Sequence, residues 1–302
     1  IREKILKPSK ETRQDFVGKT LSYASIFLIV GVVLAIFLFV ASKGIATFTQ
    51  NKASLVEFLT GSEWNPGANG PNGRPLVGAL PMILGSFGVT LLAALFATPF
   101  AIGTALYMTE LSSKRSQKFM QSVIELLVGI PSVVYGFIGL TVVVPFVRDH
   151  FGGSGYGILS GSFVLFVMVL PTITSMTVDS LRAVPKYYKS ASLALGATEW
   201  QTIYRVLLRA ALPGIMTAIV FGMARAFGEA LAVQMVIGNA TLLPESLLAP
   251  ASTLTSVLTM GIGNTVMGTV SNNALWSLAL VLLLMSLFFN IAVRFISRKG
   301  KM

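Results

Sequence analysis

Two formal charges, Arg225 and Glu229, stand one helical turn apart inside LPGIMTAIVFGMARAFGEALAVQMVI, an apolar run from Leu212 to Ile237. A charge at bilayer depth costs about 2.5–3.5 kcal/mol even on lenient insertion scales, so it is retained where it faces protein or a water-filled path. A guanidinium presents paired planar donors that match two oxygens of a tetrahedral oxyanion, which an ammonium does less well. Arg225 is therefore a candidate contact on an anion route. At about 1.5 Å of rise per residue from Leu212, it falls near or somewhat beyond the midplane. Glu229, at i+4, is expected to pair with it along one helix face, holding the guanidinium and weakening its grip on an anion that must also leave. The alternative is a buried ion pair that only fixes helix packing.

A second set of polar groups interrupts the third apolar run. Pro131 frees a backbone carbonyl, and Ser132 and Tyr135 can donate hydrogen bonds, which suits a polar notch facing the pathway or, equally, a packing kink. Glu125 is expected near the cytoplasmic interface, snorkelling or paired with a neighbouring loop. Gly129, Gly136 and Gly139 read as sites of close helix contact. There are no cysteines, and the lone His150 has no second ligand near it, so a metal centre is not expected.

The elements that position these groups are membrane spans. The chain is 54% hydrophobic and 12% charged, with a mean hydropathy of +0.76, and its apolar runs are long enough to cross a hydrocarbon core that needs about 20 helical residues. The reading is an all-α polytopic membrane protein with six spans, near 21–41, 80–108, 119–146, 157–176, 212–237 and 275–295. The first is taken as a span and not a signal peptide, being too long for an h-region and lacking a small-x-small cleavage site. A tail over 1–20, a loop over 177–211 and a tail over 296–302 then share one side with the loop holding Lys114, Arg115 and Lys118. Those segments, with Arg294, carry 18 of the 23 Lys and Arg, against 4 on the other side. The positive-inside rule places both termini in the cytoplasm. Basic residues spread in this way act as orientation signals, which excludes the nucleic-acid reading of a net charge of +11.

Two segments outside the spans have size. The outer one, 42–79, contains EWNPGANGPNGRP, whose Asn, Pro and Gly density predicts tight turns and no regular element. The inner one, 177–211, reads as two short amphipathic helices meeting near Gly196, with Leu193, Leu195, Trp200, Ile203, Leu207 and Leu208 on the apolar face. Such a face has to be buried, in a partner's groove or on the lipid surface. A third outer segment, 239–273, is too rich in Thr, Ser, Gly and Asn for a span and suits a re-entrant element or a surface for a delivering protein.

SASLALGATEWQTIYRVLLRAALPGI resembles the EAA loop, the cytoplasmic coupling segment of binding-protein-dependent ABC importer permeases. The triplet falls on Ser190, Ala191 and Ser192, with serine in place of glutamate, and the glycine on Gly196. The first Leu-Pro of that pattern falls on Leu208 and Arg209, and a second is kept as Leu212 and Pro213. ELLVGIPSVVYGFIGL, ARAFGEALAV, and EWNP followed by VGALPMILGSFGVTLLA are similar to the phosphate-specific branch, the last of them to its PstC-type subunit. The resemblance covers nearly everything after residue 60. It implies a MetI-like fold of the type I importers and a PstA-type second permease subunit. Two cytoplasmic PstB-type ATP-binding subunits and an extracytoplasmic PstS-type phosphate-binding protein are implied as well. Lys186, Ser190, Ala191, Ser192, Leu195, Gly196, Ala197 and Trp200 become the candidate ATPase contacts.

The chain is not expected to be an enzyme. Gly18-Lys19-Thr20 looks like the end of a phosphate-cradling loop, but the earlier glycine position is Arg13 and no strand precedes it. ATP and Mg are expected on the partner subunits, with no cofactor on this chain. The function implied is phosphate import across a bacterial inner membrane. Other readings are a permease for sulfate or molybdate, an ion-coupled secondary anion transporter, and a non-transporting membrane scaffold.

Overall fold

The computed structural model describes residues 10–299; residues 1–9 of the expected N-terminal tail and 300–302 of the C-terminal tail lie outside them. Among the described residues, six helical segments are long and apolar enough to cross a membrane.

The core is a packed set of three helices. Helix α3 (Leu80–Leu106) follows helix α1 (Lys10–Thr49), a short helix α2 (Leu55–Thr60) and a two-stranded hairpin, and it ends in a π-helical turn, Tyr107–Leu111. Helix α3 lies along α7 (Ile158–Arg182), which packs in turn on α10 (Leu208–Phe227). Ala93, Ala97, Ala101 and Ala105 recur every fourth residue on α3 and are fully buried. A face of small residues at that spacing lets two backbones approach closely in lipid, where dispersion contacts and not water exclusion hold helices together. Larger side chains fill the flanks, with Phe96 and Phe163 stacked at 5.6 Å.

The outer hairpin corrects the expectation of an irregular loop over 42–79. Helix α1 runs on to Thr49, and EWNPGANGPNGRP folds as β1 (Trp64–Asn69) paired antiparallel with β2 (Pro75–Val77). The Gly- and Asn-rich centre is the turn that closes it. Gly70 donates to the Arg74 carbonyl at 2.8 Å, and Gly73 holds φ at +66°, a conformation nearly free of cost for glycine.

The third span differs from 119–146. Helix α4 (Lys114–Gly129) stops before Pro131, and a new helix starts, α5 (Ser132–Ile138), continuing through a π-helical turn, Gly139–Val143, into α6 (Val144–Phe151). The residue before a proline is driven to extended backbone, and Ile130 has φ −70° and ψ 128°. The apolar crossing is Ser132–Phe151, and α4 carries its buried Ile124 against the inner ends of α7 and α10. Gly136 and Gly139 meet Ala232, Val164 and Val236 closely, while Gly129 has open space around it.

The last helix, α13 (Val270–Lys299), holds α1 against the bundle. Ser277 Oγ donates to the Gly44 carbonyl at 2.6 Å, and Phe39 meets Trp276 edge-on at 5.2 Å. Lys19 of the loop-like Gly-Lys-Thr lies inside α1, paired with Asp15 at 2.7 Å.

Candidate functional site

The fifth span is a broken helix, which changes the geometry expected of Arg225 and Glu229. Helix α10 ends at Phe227, and Gly228, Glu229 and Ala230 leave it before a four-residue helix, α11 (Leu231–Gln234). The two charges therefore do not share a helix face. Salt bridges among the described residues include none between them. The i+4 pairing fails because Gly228 ends the ladder one residue before Glu229.

Each charge has its own partner. Arg225 Nη1 donates to Thr172 Oγ1 on α7. Thr172 is at the middle of a 25-residue helix and nearly buried, so the contact sits deep in the membrane. Arg225 also lies in the last turn of α10, where the helix's partial negative end favours a cation. Its side chain is exposed, as are Phe221 four residues before it and Gly228 three after it; Leu212 and Met216 are exposed too, on the other side of α10.

Glu229 turns inward. Its carboxylate accepts the Ala232 N–H at 3.4 Å, in the first turn of α11, and its backbone carbonyl accepts a hydrogen bond from Thr255 Oγ1 at 2.8 Å. Glu229, Ser86, Thr90, Thr253 and Thr255 line a small cavity of about 10 Å³, the size that holds about one water. Unwound backbone at membrane depth is tolerated where protein covers it or a cavity adjoins it. Glu229 is half-buried and adjoins that cavity, whereas Gly228 is exposed.

The cover is the segment 239–273. It is no span: after irregular backbone it forms α12 (Leu254–Gly261), packed against the N-terminal half of α3. Thr253 and Ser256 make a reciprocal capping box, with Thr253 Oγ1 accepting the Ser256 N–H at 3.1 Å and Ser256 Oγ accepting the Thr253 N–H at 3.0 Å. Ser86 Oγ accepts the Leu254 N–H at 2.9 Å. A Cβ at Gly85 would run into the Ser252 carbonyl, so only glycine lets the segment seat there.

Ser132 and Tyr135 divide. Ser132 is half-exposed at the first turn of α5. Tyr135 is buried, and its hydroxyl donates to the Leu127 carbonyl at 2.8 Å, bridging the break at Pro131. The kink reading fits Tyr135. Glu125 accepts Gln121 Nε2 at 2.9 Å on its own helix, and the pair to the hairpin comes instead from Glu110.

At the opposite end, α7 runs on through Thr177 to Arg182, so the hairpin proper is shorter than 177–211. It consists of α8 (Lys186–Ala194) and α9 (Glu199–Thr202), and α9 passes through a π-helical turn, Ile203–Leu207, into α10. Gly196 turns the chain between them at φ +83°. The expected apolar face splits in two. Ile203 and Leu207 are buried against the bundle, whereas Leu193, Leu195 and Trp200 stay exposed, Leu195 at 89%. No residue of α8 is buried: Lys186, Ser190 and Ala191 are exposed, Ser192 and Ala197 half-exposed. Sequence reasoning missed Lys189 and Glu110, which meet at 2.6 Å, and Thr172; partners so distant in the chain leave no local signal.

The chain matches the family model of the binding-protein-dependent transport system inner membrane component over residues 97–301. It is 48% identical over 303 residues to the probable ABC transporter permease protein YqgH of Bacillus subtilis, covering 100% of this chain and 97% of that one. It is 33% identical to the phosphate transport system permease protein PstC of Xylella fastidiosa, over 84% of this chain and 82% of that one. Among solved structures, an inward-facing MetNI methionine ABC transporter aligns with a TM-score of 0.55 at 20% identity, over 72% of this chain and 93% of that one. A bacterial ABC transporter for alginate import aligns with a TM-score of 0.60 at 16% identity, over 95% of this chain and 100% of that one. These two share the fold. The chain belongs to the binding-protein-dependent transport system inner membrane components: it is a MetI-like, multi-pass permease subunit of an ABC importer, not itself an enzyme, of a kind that works with ATP-binding subunits and a substrate-binding protein.

Proposed function

We propose that this chain is the PstC-type subunit of an importer that carries inorganic phosphate into a bacterial cell. The observation that supports this most is the exposure of Arg225 beside Phe221 and Gly228 on one side of the end of α10. An arginine on an outward face at mid-membrane depth is too costly against lipid, so that face meets another subunit or a water-lined path. A PstA-type permease subunit completes the path across from it. Arg225, held by Thr172, contacts the passing anion, Ser132 adds a hydroxyl along the route, and Glu229 braces the broken helix from behind.

Phosphate is favoured by the fit of a guanidinium to a tetrahedral oxyanion and by the relatives named for phosphate transport. A PstS-type binding protein delivers the anion from outside. Two PstB-type subunits hold ATP and Mg and grip the hairpin through Lys186, Ser190, Ala191, Ser192, Leu195, Gly196, Ala197 and Trp200. Both termini are cytoplasmic. Another oxyanion, sulfate or molybdate, is the second reading, because the relative at 48% identity carries no substrate in its name. Uptake of labelled phosphate by the assembled importer, challenged with excess unlabelled phosphate, sulfate or molybdate, decides between them. Excess sulfate or molybdate should leave labelled phosphate uptake intact; no uptake of labelled phosphate, with labelled sulfate or molybdate taken up in its place, would move the assignment to the second reading.

A further inference from the structure

The hairpin meets the end of α3 at a charged contact. Lys189 Nζ on α8 donates to Glu110 Oε2 at 2.6 Å, bridging 79 residues of sequence. The Glu110 side chain is 14% exposed, whereas in each of the other three ion pairs among the described residues both side chains are at least 50% exposed. A sheltered carboxylate holds its cation more firmly than a solvated one does. Glu110 stands in the π-helical turn that ends α3, a rare geometry that proteins keep mostly at functional sites.

Other attachments of α8 are looser. At one end it joins α7 through the turn Ala183–Pro185, and at the other Gly196 sits with open space around it. Ser192 Oγ and Thr202 Oγ1, 2.9 Å apart, tie it to α9. A crevice of about 520 Å³, lined in part by Glu110, Gln117, Arg182 and Lys186, separates α8 from the bundle. Helix α8 therefore has room to rock, and the ion pair passes such a movement to α3.

Helix α3 carries that movement far. Its 27 residues form one continuous helix about 40 Å long at 1.5 Å per residue. Its outer half holds the re-entrant segment, through Ser86 on the Leu254 N–H and through the Ser252 carbonyl seated over Gly85. Ser86 and Thr90 also line the cavity behind Glu229. One helix, with Pro99 inside it, thus touches the coupling hairpin at its inner end and the cover of the broken helix at its outer end.

We propose that Lys189 and Glu110 are positioning residues that transmit displacement of α8 through α3 to the segment packed on Glu229. The proposal rests on the reading of the hairpin as the ATPase contact. Its test uses the complete importer in proteoliposomes, measuring anion uptake and ATP hydrolysis together for Glu110→Gln, Lys189→Gln and the exchange Glu110→Lys with Lys189→Glu. With the ATP-binding subunits co-purifying at the native ratio, uptake per ATP hydrolysed should fall about fivefold or more in each single variant, the low end of ordinary coupling between sites. The exchange should restore at least part of it. Unchanged uptake per ATP in both single variants overturns the proposal, as does a loss that the exchange leaves in place. Separately, Leu195→Ser with Trp200→Ser tests the reading beneath it: ATP-binding subunits that still co-purify with that variant would remove the hairpin from the ATPase contact, whatever the ion pair does.

Discussion

Arg225 donates a hydrogen bond from α10 to Thr172 at the middle of α7, joining the end of a broken span to the centre of an unbroken one. The guanidinium is thereby aimed by a neutral hydroxyl. Pairing to Glu229 would have neutralised it, whereas a threonine leaves its full charge available to an anion.

Removing that hydroxyl tests the arrangement. A hydrogen bond to a charged group contributes about 1.5–3 kcal/mol, so we expect Thr172→Val to lower transport by roughly 10- to 100-fold if that energy is spent on aiming Arg225. Thr172→Ser keeps the accepting hydroxyl and should retain most activity. Labelled-anion uptake at matched membrane levels reads the difference, and equal rates for Val and Ser would show that Thr172 does not position Arg225.

Glu229 is expected to behave as a brace and not as a counter-ion. Glu229→Gln keeps an oxygen to accept the Ala232 N–H and should transport at more than half the native rate. Glu229→Ala removes the acceptor of the Ala232 N–H, at a cost of about 1.5–3 kcal/mol for a hydrogen bond to a charged group, and should lower the melting temperature of the purified complex. If Gln and Ala are equally inactive while equally stable, the carboxylate's charge is what matters.

Gly85→Ala addresses the re-entrant segment. The added methyl meets the Ser252 carbonyl, and overpacking of this kind costs about 1–3 kcal/mol. We expect a lower melting temperature and faster proteolysis within 239–253, whereas Gly103→Ala, with open space around the added carbon, should change neither.

Trp200 and Leu195 should carry the ATPase contact. Both are exposed large apolar groups on the hairpin, and central apolar anchors of an interface contribute about 2 kcal/mol or more each. Replacing both with serine should abolish co-purification of the ATP-binding subunit while leaving the permease folded. Ile203→Ser and Leu207→Ser should instead destabilise the permease, because those side chains are buried in the bundle.

The spans over α1, α3, α7 and α13 were legible because long apolar runs have one stable solution in lipid. The third and fifth were read too simply. Hydropathy continues across Pro131 and Gly228, but the backbone does not: a proline and a glycine redirect the chain without altering its polarity. EWNPGANGPNGRP shows the converse, since turn-rich composition hid a hairpin whose strands are short and half-exposed. Within the site, Arg225 and Glu229 stood out as costly charges. Their partners Thr172 and Thr255 did not, nor did Ser86 and Glu110, because these are ordinary residues made significant by contacts across 26 to 168 positions.

The most direct measurement is labelled phosphate uptake by cells carrying all partner subunits, comparing the native chain with Arg225→Gln at matched membrane levels and matched ATPase co-purification. Lost uptake with an intact assembly is the result expected of a guanidinium on the anion path. Unchanged uptake would contradict it, leaving Arg225 as a packing residue at the end of α10.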